Sequence, residues 1–339
     1  MSDLYLRVQG KAGRITLQRP KALNAMTYEM CLAIEKALIE WKHDSKVELI
    51  IIDAQGDRAF CSGGDISDLY EEGQKKNYSY GQKFWDDEYR LNALIAKYPK
   101  PFAAFMQGFT MGGGVGISCH GSHRIVCDTS KIAMPECSIG LVPDVGGSFL
   151  LSRTPGNLGY YLGITGIQMN AADAVFAGFA DNYIPKDVWC NVIEYLAKTG
   201  DFSILKKHSL NPGKSHLSEN RKFFDSAFKF RNLSKIVKFL SNSKSHLAQS
   251  TLQKIEKNCP LAMTYTIEMI SRLSPEARIE DALDLEYRFT SRAQEFGNFQ
   301  EGVRAAIIDK DRKPNWQFEI GGVPKKIISE FFRPVLNLN

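Results

Sequence analysis

Two short apolar runs constrain the architecture of this chain most strongly. "VELIIIDAQG" (residues 47–56) and "PFAAFMQG" (residues 101–108) are apolar at nearly every central position, so strands built from them have no water-facing side. Such strands belong in sheets covered by helices on both faces. Helical spacing does surround them: apolar residues recur at that period from Thr27 to Trp41, with Thr27 as a plausible N-cap, and residues 66–98 look mostly helical. The opening "LYLRVQG" and "RITLQRP", joined by "KAG", predict a hairpin. Strand, loop and helix alternate, which predicts an α/β fold.

From about Asn211 the character changes. Lys, Ser and Asn rise, and amphipathic helical patterns continue through Phe332. The expected organisation is an α/β core over 1–210 and a helical region over 211–339 packing on it. A length of 339 residues suits a core with an appendage. The net charge of +5 is mild; it suits an anionic small molecule and is too diffuse for a nucleic-acid partner. No window approaches the roughly 18 apolar residues of a membrane span. The N-terminal "MSDLYLRVQG" lacks a basic leader ahead of an apolar stretch, so no secretory signal is expected. Seven cysteines without CxxC spacing point to reduced thiols in a cytosol-like compartment.

Both apolar runs lead toward glycine-rich loops: "CSGGD" at Cys61 to Asp65, and "MGGGVG" at Met111 to Gly116. Glycine lets a backbone approach a ligand closely. Two such loops from neighbouring strands can aim two N–H groups at one oxygen, which is an oxyanion hole. Tight packing of a helix on a sheet would use the same glycines, and the residues alone leave both readings open. GxGxxG would need glycine at Ile117 or Cys119, "GISCHG" is not GxSxG, and no GxxxxGK[ST] follows a strand. Dinucleotide, nucleophile-elbow and P-loop chemistries are therefore not indicated.

The stretch "AMPECSIGLVPDVGGSFLLSR" places Glu136 and Asp144 among apolar or small neighbours. Such surroundings raise a carboxyl pKa and suit general acid or base work near neutral pH. The blander alternatives are an N-cap role for Asp144, ahead of a helical pattern, and a solvated loop position for Glu136. His120 and His123 flank a glycine turn without metal-ligand partners and read as structural. Cys61, Cys119 and Cys137 have no poised histidine and read as small packing residues.

Taken together, "ITLQRPKALNAMT", "AFCSGGDI", "KPFAAFMQGFTMGGGVGIS" and "MPECSIGLVPDVGGS" resemble the crotonase superfamily of acyl-coenzyme A enzymes. That resemblance implies a spiral of ββα units with a two-amide oxyanion hole, whose matching positions are Gly64 and Gly113. Hydratases of the superfamily carry two glutamates. Here Gly116 stands at the first position and Glu136 at the second, while Asp144 replaces a glycine. With "DDEYRLN", which supplies Glu88, and "NFQEGVRAAIIDKDRKPNW" (residues 298–316), the chain looks like the 3-hydroxyisobutyryl-CoA hydrolase branch, as does its extra region from Asn211 to Arg278.

The implied reaction is hydrolysis of a short 3-hydroxyacyl thioester in valine catabolism. Glu136 acts as base or nucleophile, and Asp144 and Glu88 hold the substrate hydroxyl. Coenzyme A enters as part of the substrate; no cofactor or metal is implied. Lys21 and Arg58 are candidates to meet its phosphates, or ordinary surface charges. The expected compartment is cytoplasmic, or the mitochondrial matrix for a eukaryotic mature form. The expected state is a homo-oligomer (a trimer or its multiples) or a monomer. The rival readings are an enoyl-CoA isomerase or hydratase of fatty-acid oxidation, and a non-catalytic RNA- or assembly-binding homologue using the basic stretch 205–232.

Overall fold

The computed structural model describes residues 3–335. The chain divides into two compact units, each gathered from separate stretches of sequence. The first comprises Met1–Asp65, Asp87–Ala133 and Gln168–Glu219; the second comprises Ile66–Asp86, Met134–Ile167 and Asn220–Asn339.

The first unit holds the strands. β1 (Leu4–Gln9) and β2 (Ala12–Leu17) form the antiparallel hairpin, with Leu4 opposite Leu17 and Gln9 opposite Ala12. The others are β3 (Leu49–Ala54), β4 (Ala59–Cys61), β5 (Phe102–Met106), β6 (Phe109–Met111), β7 (His123–Val126), β8 (Lys131–Ala133) and β9 (Asn182–Tyr183). One sheet runs β1-β2-β3-β5-β7-β9 and a smaller one β4-β6-β8. Among the described residues, the other pairings between these strands are parallel. β5 is buried throughout and β3 at all but its last residue, as their apolar composition requires.

The chain passes from the large sheet to the small one between β5 and β6. Gly108 makes that corner at φ +57°, where a Cβ would lie 2.2 Å from the Arg58 carbonyl oxygen. Ile51, Phe105 and Ile125 pack against Trp189, Val192 and Leu196, the apolar stripe of the helix Trp189–Thr199. The helix Tyr28–His43 buries Met30, Ile34, Leu38 and Trp41, and Thr27 Oγ1 accepts from Met30 N at 3.2 Å as its N-cap.

The second unit is helical. Leu158–Thr165 is buried at every position and packs on Pro260–Arg272. Aromatic contacts fill the interior: Tyr161 stacks on Phe224 with centroids 4.1 Å apart, and Tyr265 on Phe332 at 3.9 Å. Amphipathic helices follow Asn220, including Leu233–Ser241, which buries Leu233, Ile236 and Leu240. Among the described residues no helix is long and apolar enough to cross a membrane.

Candidate functional site

Gly64, Gly113 and Glu88 come together in the first unit. β4 and β6 are parallel neighbours, so the loops leaving their C-terminal ends emerge on the same side. Gly64 lies just beyond β4, and Gly113 opens the short helix Gly113–Gly116 just beyond β6. A Cβ built on Gly113 would sit 3.3 Å from Gly64 N, 3.0 Å from Glu88 Oε1 and 3.4 Å from Met26 Cε. Among the described residues neither the Gly64 N–H nor the Gly113 N–H donates a hydrogen bond. The two loops therefore present two adjacent amides beside a carboxylate.

The Gly64 loop is fixed by the turn that precedes the helix Tyr28–His43. Met26 N donates to Gly63 O at 2.9 Å, and Asp65 N donates to Met26 O at 2.8 Å. That turn holds Leu23 and Asn24 at positive φ. The buried Asn24 amide locks it: Nδ2 donates to Gln55 O and Ala59 O at 2.9 Å, and Oδ1 accepts from Arg19 N at 2.8 Å.

Glu88 belongs to the helix Tyr78–Ala96 and is buried. Its neighbour Asp87 has a different environment. Asp87 meets Arg90 at 2.7 Å and accepts from Tyr28 Oη, while Arg90 also clasps both oxygens of Glu35. Burial, helped by the Glu88 charge, pushes the Cys61 thiol up to about 12, so it stays protonated near neutral pH. Cys119 and Cys137 are likewise buried and raised.

Glu136 and Asp144 belong to the second unit, and both are 5% exposed, so neither is a solvated loop residue. Glu136 starts the 3-10 turn Glu136–Ile139. The C-terminal signature supports that turn from behind. A Cβ on Gly302 would lie 2.2 Å from the Ile139 carbonyl, and one on Gly140 would lie 2.4 Å from Asn298 O. Cys259 N adds a hydrogen bond to Cys137 O at 2.8 Å. Asp144 opens a tight turn in which Gly147 N donates to its carbonyl at 2.6 Å. The following helix, Gly147–Ser152, has Gly146 and not Asp144 at its N-cap position.

Glu286 escaped the sequence reading. It lies fully buried in the helix Ile279–Ala293. Its carboxylate accepts from Gly146 N at 2.8 Å, from Ser148 N at 2.9 Å and from Ser148 Oγ. Burial raises its pKa to about 8, and the Asp144 charge adds to that rise. The available signal was its spacing: Ala282, Leu283, Glu286, Phe289 and Ala293 form one buried stripe, with an acid at its centre.

Of the remaining candidates, Lys21 and Arg58 are exposed. His123 stacks on Phe202 at 4.1 Å, and its Nδ1 meets Ser122 Oγ at 2.9 Å, which is a packing role. Among the described residues no cluster of three or more His, Cys, Asp or Glu is arranged to hold a metal ion.

Comparison with known proteins adds a family. A family model described as enoyl-CoA hydratase/isomerase matches residues 12–332. A Danio rerio protein named "3-hydroxyisobutyryl-CoA hydrolase, mitochondrial" is 35% identical, spanning 98% of this chain and 89% of its own. Its Homo sapiens counterpart of the same name is 35% identical over 93% of this chain and 84% of its own. Among solved structures, an enoyl-CoA hydratase from Rhodobacter sphaeroides 2.4.1 superposes with TM-score 0.95 at 47% identity, covering 98% of both chains. A carnitinyl-CoA dehydratase from Mycobacterium thermoresistibile gives TM-score 0.94 at 35% identity, covering 99% of this chain and 97% of its own.

Proposed function

We propose, from the premise that this chain belongs to the enoyl-CoA hydratase/isomerase family, that it hydrolyses the thioester of 3-hydroxyisobutyryl-CoA to the free acid and CoA. Similar short substrates such as 3-hydroxypropionyl-CoA fall within the same reading. The observation that carries it is the pair of adjacent, unengaged amides at Gly64 and Gly113. As the thioester carbonyl becomes tetrahedral, negative charge grows on its oxygen. Fixed N–H dipoles hold that charge without reorganising, and losing one such donor costs on the order of 10²–10³ in rate.

Glu136 supplies the attack. It either takes a proton from water or adds to the carbonyl carbon itself, expelling the CoA thiolate and leaving a mixed anhydride that water opens. Asp144 and Glu88 bind the substrate hydroxyl. A site built to hydrogen-bond a hydroxyl rejects analogues lacking it by several orders of magnitude.

A hydratase reading draws on the likeness to the Rhodobacter enoyl-CoA hydratase. Water addition needs an acid and a base, yet Gly116 is a buried glycine where the resemblance expects the first of a hydratase's two glutamates. Thiol release from a panel of acyl-CoA esters, read beside loss of the conjugated double bond from an enoyl-CoA, separates the two. The expected outcome is thiol release, strongest with 3-hydroxyacyl esters. Glu136→Gln should abolish turnover while the protein still folds and binds a CoA ester; most of the activity surviving in that variant would remove Glu136 from the mechanism.

A further inference from the structure

The Asp144 turn is an unfavourable piece of backbone. Val145 adopts φ +53° and Gly146 φ +76°, two successive left-handed residues, the first of them β-branched. A β-branched residue in that region is strained and persists only where its surroundings hold it. The turn is also buried, so its N–H groups need partners inside the protein. Gly147 N finds the Asp144 carbonyl, and Glu286 serves two others: one carboxylate oxygen takes Gly146 N, and the other takes both Ser148 N and Ser148 Oγ. The clamp thus grips the second residue of the strained pair and the chain two residues further on, just after Asp144.

An acid inside a helical apolar stripe costs desolvation, and a core helix does not need one for packing. What this one does is bind the turn at two backbone positions. We propose that Glu286 is the positioning residue of the Asp144 turn, and that through it the enzyme discriminates hydroxylated from non-hydroxylated acyl thioesters. The inference rests on the reading of Asp144 as a hydroxyl-binding carboxylate. Glu286 touches no substrate; its effect passes through the turn. Glu286→Gln keeps the volume but sets an amide N–H₂ against a backbone donor. Ser148→Ala removes a single donor and leaves the Glu286 carboxyl group in place.

The experiment measures kcat and KM by thiol release for a 3-hydroxyacyl-CoA and its matched acyl-CoA without the hydroxyl. It uses the full chain as wild type, Glu286→Gln, Ser148→Ala and Asp144→Asn. The expected result is a fall of about tenfold or more in the hydroxyl preference for Glu286→Gln, carried mainly by KM of the hydroxylated ester, and a smaller fall of about threefold for Ser148→Ala. A purely structural role would lower both substrates in proportion and leave the ratio alone. If Asp144→Asn loses the preference while folded Glu286→Gln keeps it, the inference is overturned and the Asp144 reading stands. Should Glu286→Gln not fold, an unchanged ratio in Ser148→Ala overturns it instead. A wild type without hydroxyl preference, or Asp144→Asn retaining it, removes the Asp144 role and the inference with it.

Discussion

Adjacent glycines of the triplet are glycine for different reasons. Gly114 is needed for packing: a Cβ there would lie 2.4 Å from the Cys61 carbonyl oxygen, a rigid backbone atom. Gly113 is needed for approach: its Cβ would meet Gly64 N at 3.3 Å and Glu88 Oε1 at 3.0 Å, a clash that small shifts relieve. Gly113→Ala should therefore keep the fold and crowd the place proposed to receive the thioester oxygen. Its turnover should drop on the order of 10²–10³, while Gly114→Ala should lose about 1–3 kcal/mol of stability. Thiol-release kinetics beside a denaturant titration of both variants checks the contrast; equal stability losses would dissolve it. The carboxylates show what is legible at this scale. Glu136 and Asp144 could be picked from sequence as buried carboxylates because charges are rare among small and apolar residues. Glu286 could not, because one acid among the charged residues of "EDALDLEYR" looks like part of a solvated face until the stripe is known to be buried.

At the scale of elements, the strands and the capped helix after Thr27 were readable because burial and period write themselves into local composition. The C-terminal signature was recognisable too, but its purpose was not. "NFQEGV" forms the helix Phe299–Val303, which seats Gly302 against the Ile139 carbonyl and so supports the Glu136 turn from more than a hundred residues away. No local pattern encodes such a contact. Gly302 lies in the αR run of that helix, so an alanine is conformationally acceptable there; only the close approach forbids it. Gly302→Ala should push the Glu136 turn, lowering kcat at least tenfold with a stability loss of about 1–3 kcal/mol from overpacking. If kcat is untouched while the melting temperature falls, the helix is packing alone and does not set the Glu136 turn.

At the scale of the whole molecule, each unit is assembled from separated stretches, and residues 134–167 side with helices that follow residue 220. Periodicity reports which face of a segment is apolar but not which distant face covers it. This assembly also sets the molecule's response to pH. Glu286 titrates near 4.5 when unfolded and near 8 when folded, with burial the main cause and Asp144 adding to it, against the pull of the Gly146 and Ser148 donors. Between those values the folded chain keeps a proton that the unfolded chain releases. The contribution of this group is therefore fully present below about 4.5 and is lost as pH rises through about 8. Glu301, whose pKa Arg304 lowers, acts in the opposite sense, losing its contribution as pH falls through its folded value. Glu286→Gln cannot titrate, so it isolates the effect of that proton: the melting temperature of wild type relative to the variant should fall steadily from about pH 5 to about pH 8.5. A difference that stays flat over that range would mean that the buried carboxyl holds the same charge in the folded and unfolded chains, and that its hydrogen bonds to the Asp144 turn offset the whole cost of burial.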